Sequence, residues 1–319
     1  MTLQRFIIAL VFLFRAAISP AQPLSPMPGA FADLPLGVRP AGMGGAYTAL
    51  SNDGNAVFYN PAATAFVSFA SLTATATRLF NMVPATYLGV HYPAKNTSWL
   101  AGVQQIGDDL MRETTLAVAV AVRAQHIFPA SFRRIPFFDR MALSLTLRAR
   151  LASFGNDPSG GENRITGSGS GYAMDLGYFV HLNRLRLGAT LHDLIGHFQW
   201  RSSGRGSYVQ NMPRRLSLGI AYAEPSLRFS LDMYPSLYRD LPDRVAVGLE
   251  TNLVTWLVLR AGVTQNVGGL SENKFVTLGF GVYRLKLKTM YLAIQGGYRT
   301  GDIASTYQFS IDLFWPNRR

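Results

Sequence analysis

Large apolar side chains recur at every second position in stretch after stretch of this chain, and no other feature constrains its fold as tightly. Leu116, Val118, Val120 and Val122 alternate with Ala117, Ala119 and Ala121, and Met141, Leu143, Leu145 and Leu147 alternate with Ala142, Ser144, Thr146 and Arg148. The same period runs through Met174–Val180, Leu216–Tyr222, Phe229–Met233 and Tyr307–Trp315. Successive side chains of a strand point to opposite faces, so each stretch reads as a two-faced strand. One face is large and apolar; the other is Ala, Gly, Ser or Thr with single charges. A sandwich in water would cover its second face with Lys, Glu and Thr. Small residues with isolated charges suit the crowded inside of a narrow barrel whose outside meets lipid.

Fourteen such segments can be drawn, at 70–79, 86–93, 98–106, 114–125, 139–154, 171–182, 185–200, 213–223, 227–237, 243–254, 256–266, 274–284, 289–299 and 306–315. An even number is what a single-chain membrane barrel requires. Tight turns at Asn183-Arg184, Glu224–Ser226, Val254-Thr255 and Leu285–Lys288 alternate with longer links at 155–170, 201–212 and 267–273. Short periplasmic turns and longer external loops produce this pattern. The Gly-Ser run Gly167–Gly171 then reads as external loop. The link His126–Phe138 is long where a short turn is expected. Its Arg133 and Arg134 beside Phe132, Ile135, Phe137 and Phe138 read either as an amphipathic interfacial segment or as a misplaced strand boundary. Trp99, Trp256 and Trp315 are expected at the periplasmic interface, and Trp200, Tyr298 and Tyr307 at the outer one.

The remaining sequence divides the chain. Arg5, the apolar run Phe6–Phe14 and Ser19-Pro20-Ala21 read as a signal peptide over 1–21, which predicts export and a Gram-negative outer-membrane location. Residues 22–69 are too apolar to float free and are rich in glycine, so they are expected to occupy the periplasmic mouth as a hatch; 70–319 form the barrel. The expected fold is therefore all-β: a transmembrane antiparallel barrel of about fourteen strands with an N-terminal hatch. With 15% charged and 12% aromatic residues the chain is neither disordered nor ordinarily soluble. The absence of Cys excludes disulfides, thiolate metal sites and cysteine nucleophiles. No uninterrupted apolar run reaches the roughly 20 residues of a membrane helix.

The net charge of +12 is carried almost wholly by Arg, with Lys only at positions 95, 274, 286 and 288. The Arg are scattered rather than clustered, which argues against nucleic acid; they read either as partners for the phosphates of outer-membrane lipids and lipopolysaccharide or as the codon bias of a GC-rich genome. No catalytic constellation, metal site or cofactor motif is present. His91, His126, His181, His192 and His197 are dispersed, and Ser144 or Ser217 with His192 is the one conceivable hydrolase pairing. Strand parity points Arg148, Arg150, Asp175, Arg186, Arg228, Asp232, Glu250, Arg260 and Asp312 into the lumen. They read either as an internal ion-pair ladder or as a site for the carboxylate or phosphate of a lipid-like ligand.

The stretch Arg39–Ala46, R-x-x-G-M-G-G-A, and the stretch Asn52–Ala62, N-D-x-N-A-V-x-Y-N-P-A, resemble the N-terminal hatch of the FadL superfamily, most closely its PorV/PorQ branch. Arg39, Gly42, Met43, Gly44, Gly45, Asp53, Asn60 and Pro61 carry the match. Asp175-Leu176-Gly177, Met212-Pro213 before Leu216–Gly219, and Arg260-Ala261-Gly262 extend it along the chain. The resemblance implies a plugged fourteen-stranded barrel without enzymatic chemistry. For the PorV/PorQ branch it implies type IX-like protein secretion or surface attachment, with secreted cargo or secretion-system proteins as partners. For FadL itself it implies a channel for fatty acids or other hydrophobic small molecules.

Overall fold

The computed structural model describes residues 36–156, 165–204, 206–210, 212–237, 242–267, 274–301 and 304–316, without the side chains of Arg284 and Leu287. The expected signal peptide and the stretch up to residue 35 lie outside the described residues. A short helix α1 (Val38–Gly42) and two 3₁₀ turns (Gly54–Phe58, Pro61–Phe66) precede fifteen described strands. These are β1 (Phe69–Leu79), β2 (Val83–Pro93), β3 (Thr97–Gly107), β4 (Met111–Arg123), β5 (Met141–Phe154), β6 (Gly167–Leu182), β7 (Leu185–Ser202) and β8 (Gly206–Gln210). They continue as β9 (Arg215–Ala223), β10 (Leu227–Tyr234), β11 (Asp243–Val254), β12 (Leu257–Val267), β13 (Lys274–Leu287), β14 (Met290–Arg299) and β15 (Thr306–Pro316).

Fourteen of these strands close into an antiparallel barrel. Each pairs with its sequence neighbours, β7 pairs with β9, and β1 pairs with β15 from Phe69↔Pro316 to Arg78↔Tyr307. Closure leaves no unpaired edge, which lipid would not tolerate. The extra strand β8 folds back on the outer half of β7, Phe198↔Gln210 to Ser202↔Gly206, inside the stretch expected to be a longer link. The Gly167–Gly171 run is likewise strand rather than loop: it pairs with β5 on one side and β7 on the other.

The alternation sorts as expected. Val118, Leu147, Leu278 and Ile311 are exposed, whereas Ala117, Ala119, Ala121, Ser217 and Ser310 are buried. Trp99, Trp256 and Tyr307 are exposed among the outward residues. Trp200 departs from its expected place in an aromatic belt. It lies inside, packed on Phe198 and Phe154 with its Nε1 donating to Gln210 Oε1 at 2.6 Å. Its even position in β7, shared with inward Arg186, dictates that side. The difference in connection length also holds only in part. At the end where β1 starts, the link after β4 runs through three 3₁₀ turns, Ala124–His126, Ala130–Arg134 and Phe138–Arg140. At the opposite end, the connections after β1 and β3 are tight.

Candidate functional site inside the barrel

The N-terminal segment Leu36–Phe66 is almost wholly buried, and it touches all fourteen barrel strands. The first 3₁₀ turn meets β1 to β3, the second meets β4 to β6, and α1 meets β12 to β15. The stretch between them reaches β7, β9, β10 and β11 through Thr48, Tyr47 and Met43. The close approach depends on inward glycines in the barrel wall. A Cβ on Gly102 would lie 2.6 Å from Val57 Cγ1, on Gly188 2.5 Å from the Thr48 carbonyl oxygen, and on Gly248 2.6 Å from the Met43 carbonyl oxygen. Gly89, Gly219 and Gly262 crowd Gly54, Thr48 and Gly44 in the same way. These six glycines face each other across strands in three pairs, Gly89↔Gly102, Gly188↔Gly219 and Gly248↔Gly262. The wall thus carries a girdle of missing side chains into which the segment's backbone fits. The girdle lies near mid-strand on β2, β3, β11 and β12, and close to Leu185, toward the end where β1 starts, on β7.

Local chemistry shapes the segment. Gly44 and Gly45 have φ of +65° and +86°, a conformation open to glycine at little cost. Asp53 caps the first 3₁₀ turn by accepting from Asn55 N at 2.9 Å, and Asn60 caps the second, with Pro61 at its start, by accepting from Ala62 N at 3.2 Å. Asn60 Nδ2 also donates to the carbonyls of Thr48 and Tyr178, both at 3.0 Å, joining segment and wall.

Arg39 is the main tie. Its Nε donates to Glu250 Oε2 at 2.8 Å and its Nη2 to Oε1 at 3.1 Å, a bidentate pair across 211 residues of sequence. Its Nη1 donates to Asp53 Oδ2 at 2.9 Å, Tyr47 Oη at 3.0 Å and Asn52 Oδ1 at 2.6 Å. Burial opposes the charge on Arg39, but Glu250, then Tyr47 and Asp53, outweigh it and raise its pKa well above the usual value. Glu250 also receives Arg260 Nε at 2.7 Å and Arg228 Nη1 at 2.8 Å. From Arg260 the network runs through Gln295 (2.6 Å) and on to Asp312. A second tie is Asp232, which accepts from Tyr47 N at 2.9 Å and Thr48 N at 2.7 Å.

A separate polar cluster lies on the β5–β7 side. Opposite Met174–Leu176, β7 carries two extra residues, and Asp193 takes a φ of +55° there. This bulge turns both His192 and Asp193 inward. Arg148 pairs with Asp175 at 2.6 Å and Arg150 with Asp193 at 2.8 Å. Arg215 reaches Asp193 at 3.4 Å, and His192 Nδ1 lies 3.2 Å from Arg148 and 3.4 Å from Asp175. Asp193 and Arg215 are members that parity alone did not single out. His192 is engaged by Arg148 and Asp175 and makes no hydrogen bond to Ser144 or Ser217, so the conceivable hydrolase pairing is not assembled. Toward the end bearing β8, Ala152, Phe154, Phe198, Trp200 and Met212 form an apolar cluster.

All nine parity-assigned charges therefore face inward, and eight have polar partners. Arg186 differs: it is half-buried, has no hydrogen bond or ion pair to a described residue, and meets Arg39, Arg228 and Glu250 only at longer range.

No family model matches this chain, and no curated protein matches it. Solved structures do. It is similar to the CymD monoaromatic hydrocarbon channel at a TM-score of 0.60, with 14% identity over 89% of this chain and 98% of that one. It is similar to the Ralstonia pickettii toluene transporter TbuX at a TM-score of 0.56, with 13% identity over 89% and 98%. A Pseudomonas aeruginosa FadL homologue gives 0.59, with 12% identity over 89% and 99%. At such identities the likeness shows the fold alone: a closed fourteen-stranded antiparallel barrel.

Proposed function

We propose that this chain is an outer-membrane channel for small hydrophobic molecules, with the N-terminal segment as its hatch. The observation that carries the proposal is the segment's contact with every barrel strand at the glycine girdle, in a fold shared with channels named for monoaromatic hydrocarbons and toluene. A lumen crossed by this segment passes nothing while the segment stays docked. Transport then requires the segment to shift, and its ties are the polar contacts of Arg39, Asn60 and Asp232, which a rearrangement can exchange. The apolar cluster around Trp200 offers a first foothold at the β8 end. The secretion or surface-attachment role expected from the PorV/PorQ resemblance draws no support from these neighbours.

The test is conductance in planar bilayers. The intact protein should be silent, and a variant lacking residues 36–66 should assemble and conduct. An intact protein that conducts like an open porin would refute the hatch. A deleted barrel that assembles but stays silent would refute transport through the lumen. Arg186 bears on substrate class. If the channel takes amphiphiles with a carboxylate, Arg186→Gln should weaken binding of decanoate and leave that of toluene unchanged, read by titration calorimetry. Equal binding of decanoate by both proteins would remove the anionic head group from the reading.

A further inference from the structure

The link between β4 and β5 is the one connection at its end that is built rather than merely turned. Phe128, Phe132 and Phe138 pack together with ring centroids 5.4–6.3 Å apart, and the outward faces of Ile127, Phe128, Phe132 and Phe137 are exposed. An exposed aromatic cluster of this kind needs an apolar neighbour. The outward rows of the strands it connects, with exposed Leu116 and Val118 on β4 and Leu145 and Leu147 on β5, run toward it. Exposed Trp99 pairs with Val120 at the same end. The cluster is thus continuous with the surface that faces acyl chains.

Beside it lies a cleft of about 370 Å³ lined by Gln125, His126, Arg133, Phe138 and Asp139. Phe138 serves both features, since one side lines the cleft and the other packs on Phe128 and Phe132. Arg133 and Asp139 have no hydrogen bond or ion pair to any described residue, although they line the same cleft. A guanidinium with amide and imidazole donors nearby suits a phosphate, and an adjacent free carboxylate suits a primary ammonium. The geometry points to a binding site for one phospholipid with a phosphoethanolamine head group, its head in the cleft and its chains across the phenylalanine cluster. Charge complementarity selects this head group. A purely anionic lipid would set its charge against Asp139, and a choline head has no N–H to donate to it.

The site is independent of transport, so the two readings fail separately. Detergent-solubilised protein, stripped of lipid, is titrated with dioleoyl phosphatidylethanolamine, phosphatidylglycerol and phosphatidylcholine, and retained lipid is counted by native mass spectrometry. The wild type should hold one phosphatidylethanolamine on the order of tenfold more tightly than either other lipid, the scale of a charge-assisted hydrogen bond. Arg133→Gln should lose the bound lipid, and Asp139→Asn should bind phosphatidylethanolamine and phosphatidylglycerol alike. Both positions are exposed, and heat-modifiable gel mobility verifies assembly; the wild-type preference stands as a test even if a variant fails to assemble. Equal retention of the three lipids by the wild type would overturn the proposal. So would a photo-crosslinker at position 132 that captures protein and no lipid from native membranes.

Discussion

The glycine girdle yields a prediction that separates docking of the N-terminal segment from folding of the barrel. Gly248→Ala adds one methyl group to the inner wall, 2.6 Å from the Met43 carbonyl oxygen and 2.8 Å from Met43 Cβ. Gly248 does not have positive φ, so its strand accepts alanine. Within a strand, alanine is favoured over glycine by roughly 0.5–1 kcal/mol, so the barrel itself should be no less stable. The strain falls on the docked segment, where overpacking costs about 1–3 kcal/mol. That range shifts the balance between docked and released segment about 5- to 150-fold. Gly196→Ala is the control, because the same methyl would find Met212 Cβ at 3.5 Å and Ala173 Cβ at 3.9 Å, ordinary contact distances. Limited proteolysis of the segment in folded barrels and the frequency of single-channel openings both read the balance. Gly248→Ala should raise both while gel mobility stays that of a folded barrel, and Gly196→Ala should raise neither. If the two variants behave alike, the glycines are not what seats the segment and the steric argument fails.

Two further predictions probe the wall. Leu218 faces outward, between buried Ser217 and Gly219, so Leu218→Arg should cost roughly 2–4 kcal/mol if that point lies near the bilayer midplane. Denaturant titration in lipid vesicles measures the cost, and a change below about 0.5 kcal/mol would overturn the strand parity. Glu250 makes ion pairs with Arg39, Arg228 and Arg260 while only 2% exposed, so Glu250→Gln should destabilise the protein by about 3–5 kcal/mol. The same titration reads it, and a near-neutral result would mean that the three guanidinium groups are hydrated from the lumen.

Local periodicity determined much of this protein. A strand's two faces are set by neighbouring residues, so Leu116–Val122 and Tyr307–Trp315 announced an outward apolar row and an inward small one before any pairing was known. The count of barrel strands and the inward side of Arg148, Asp175, Glu250 and Arg260 followed from the same rule. The motif Arg39–Ala46 with Asn52–Ala62 marked the segment that enters the lumen. The girdle was also present in the sequence, as glycines on the inward parity of successive strands, but each reads there merely as a small residue. Only closure of the barrel shows that a backbone lies against Gly89, Gly188 and Gly248.

The partners were decided by the tertiary structure alone. Arg39 and Glu250 stand 211 residues apart, and nothing local in either stretch names the other. His192 and Asp193 are adjacent, and strict alternation would put them on opposite faces; the two-residue bulge in β7, fixed by its register with β6, turns both inward. The β4–β5 link left two readings open because Phe and Arg without a fixed period fit neither strand nor helix, and it took the three 3₁₀ turns to gather Arg133 and Asp139 around one cleft. Alternation is a property of a single strand, whereas register, bulges and ring closure belong to pairs of strands and to the barrel as a whole.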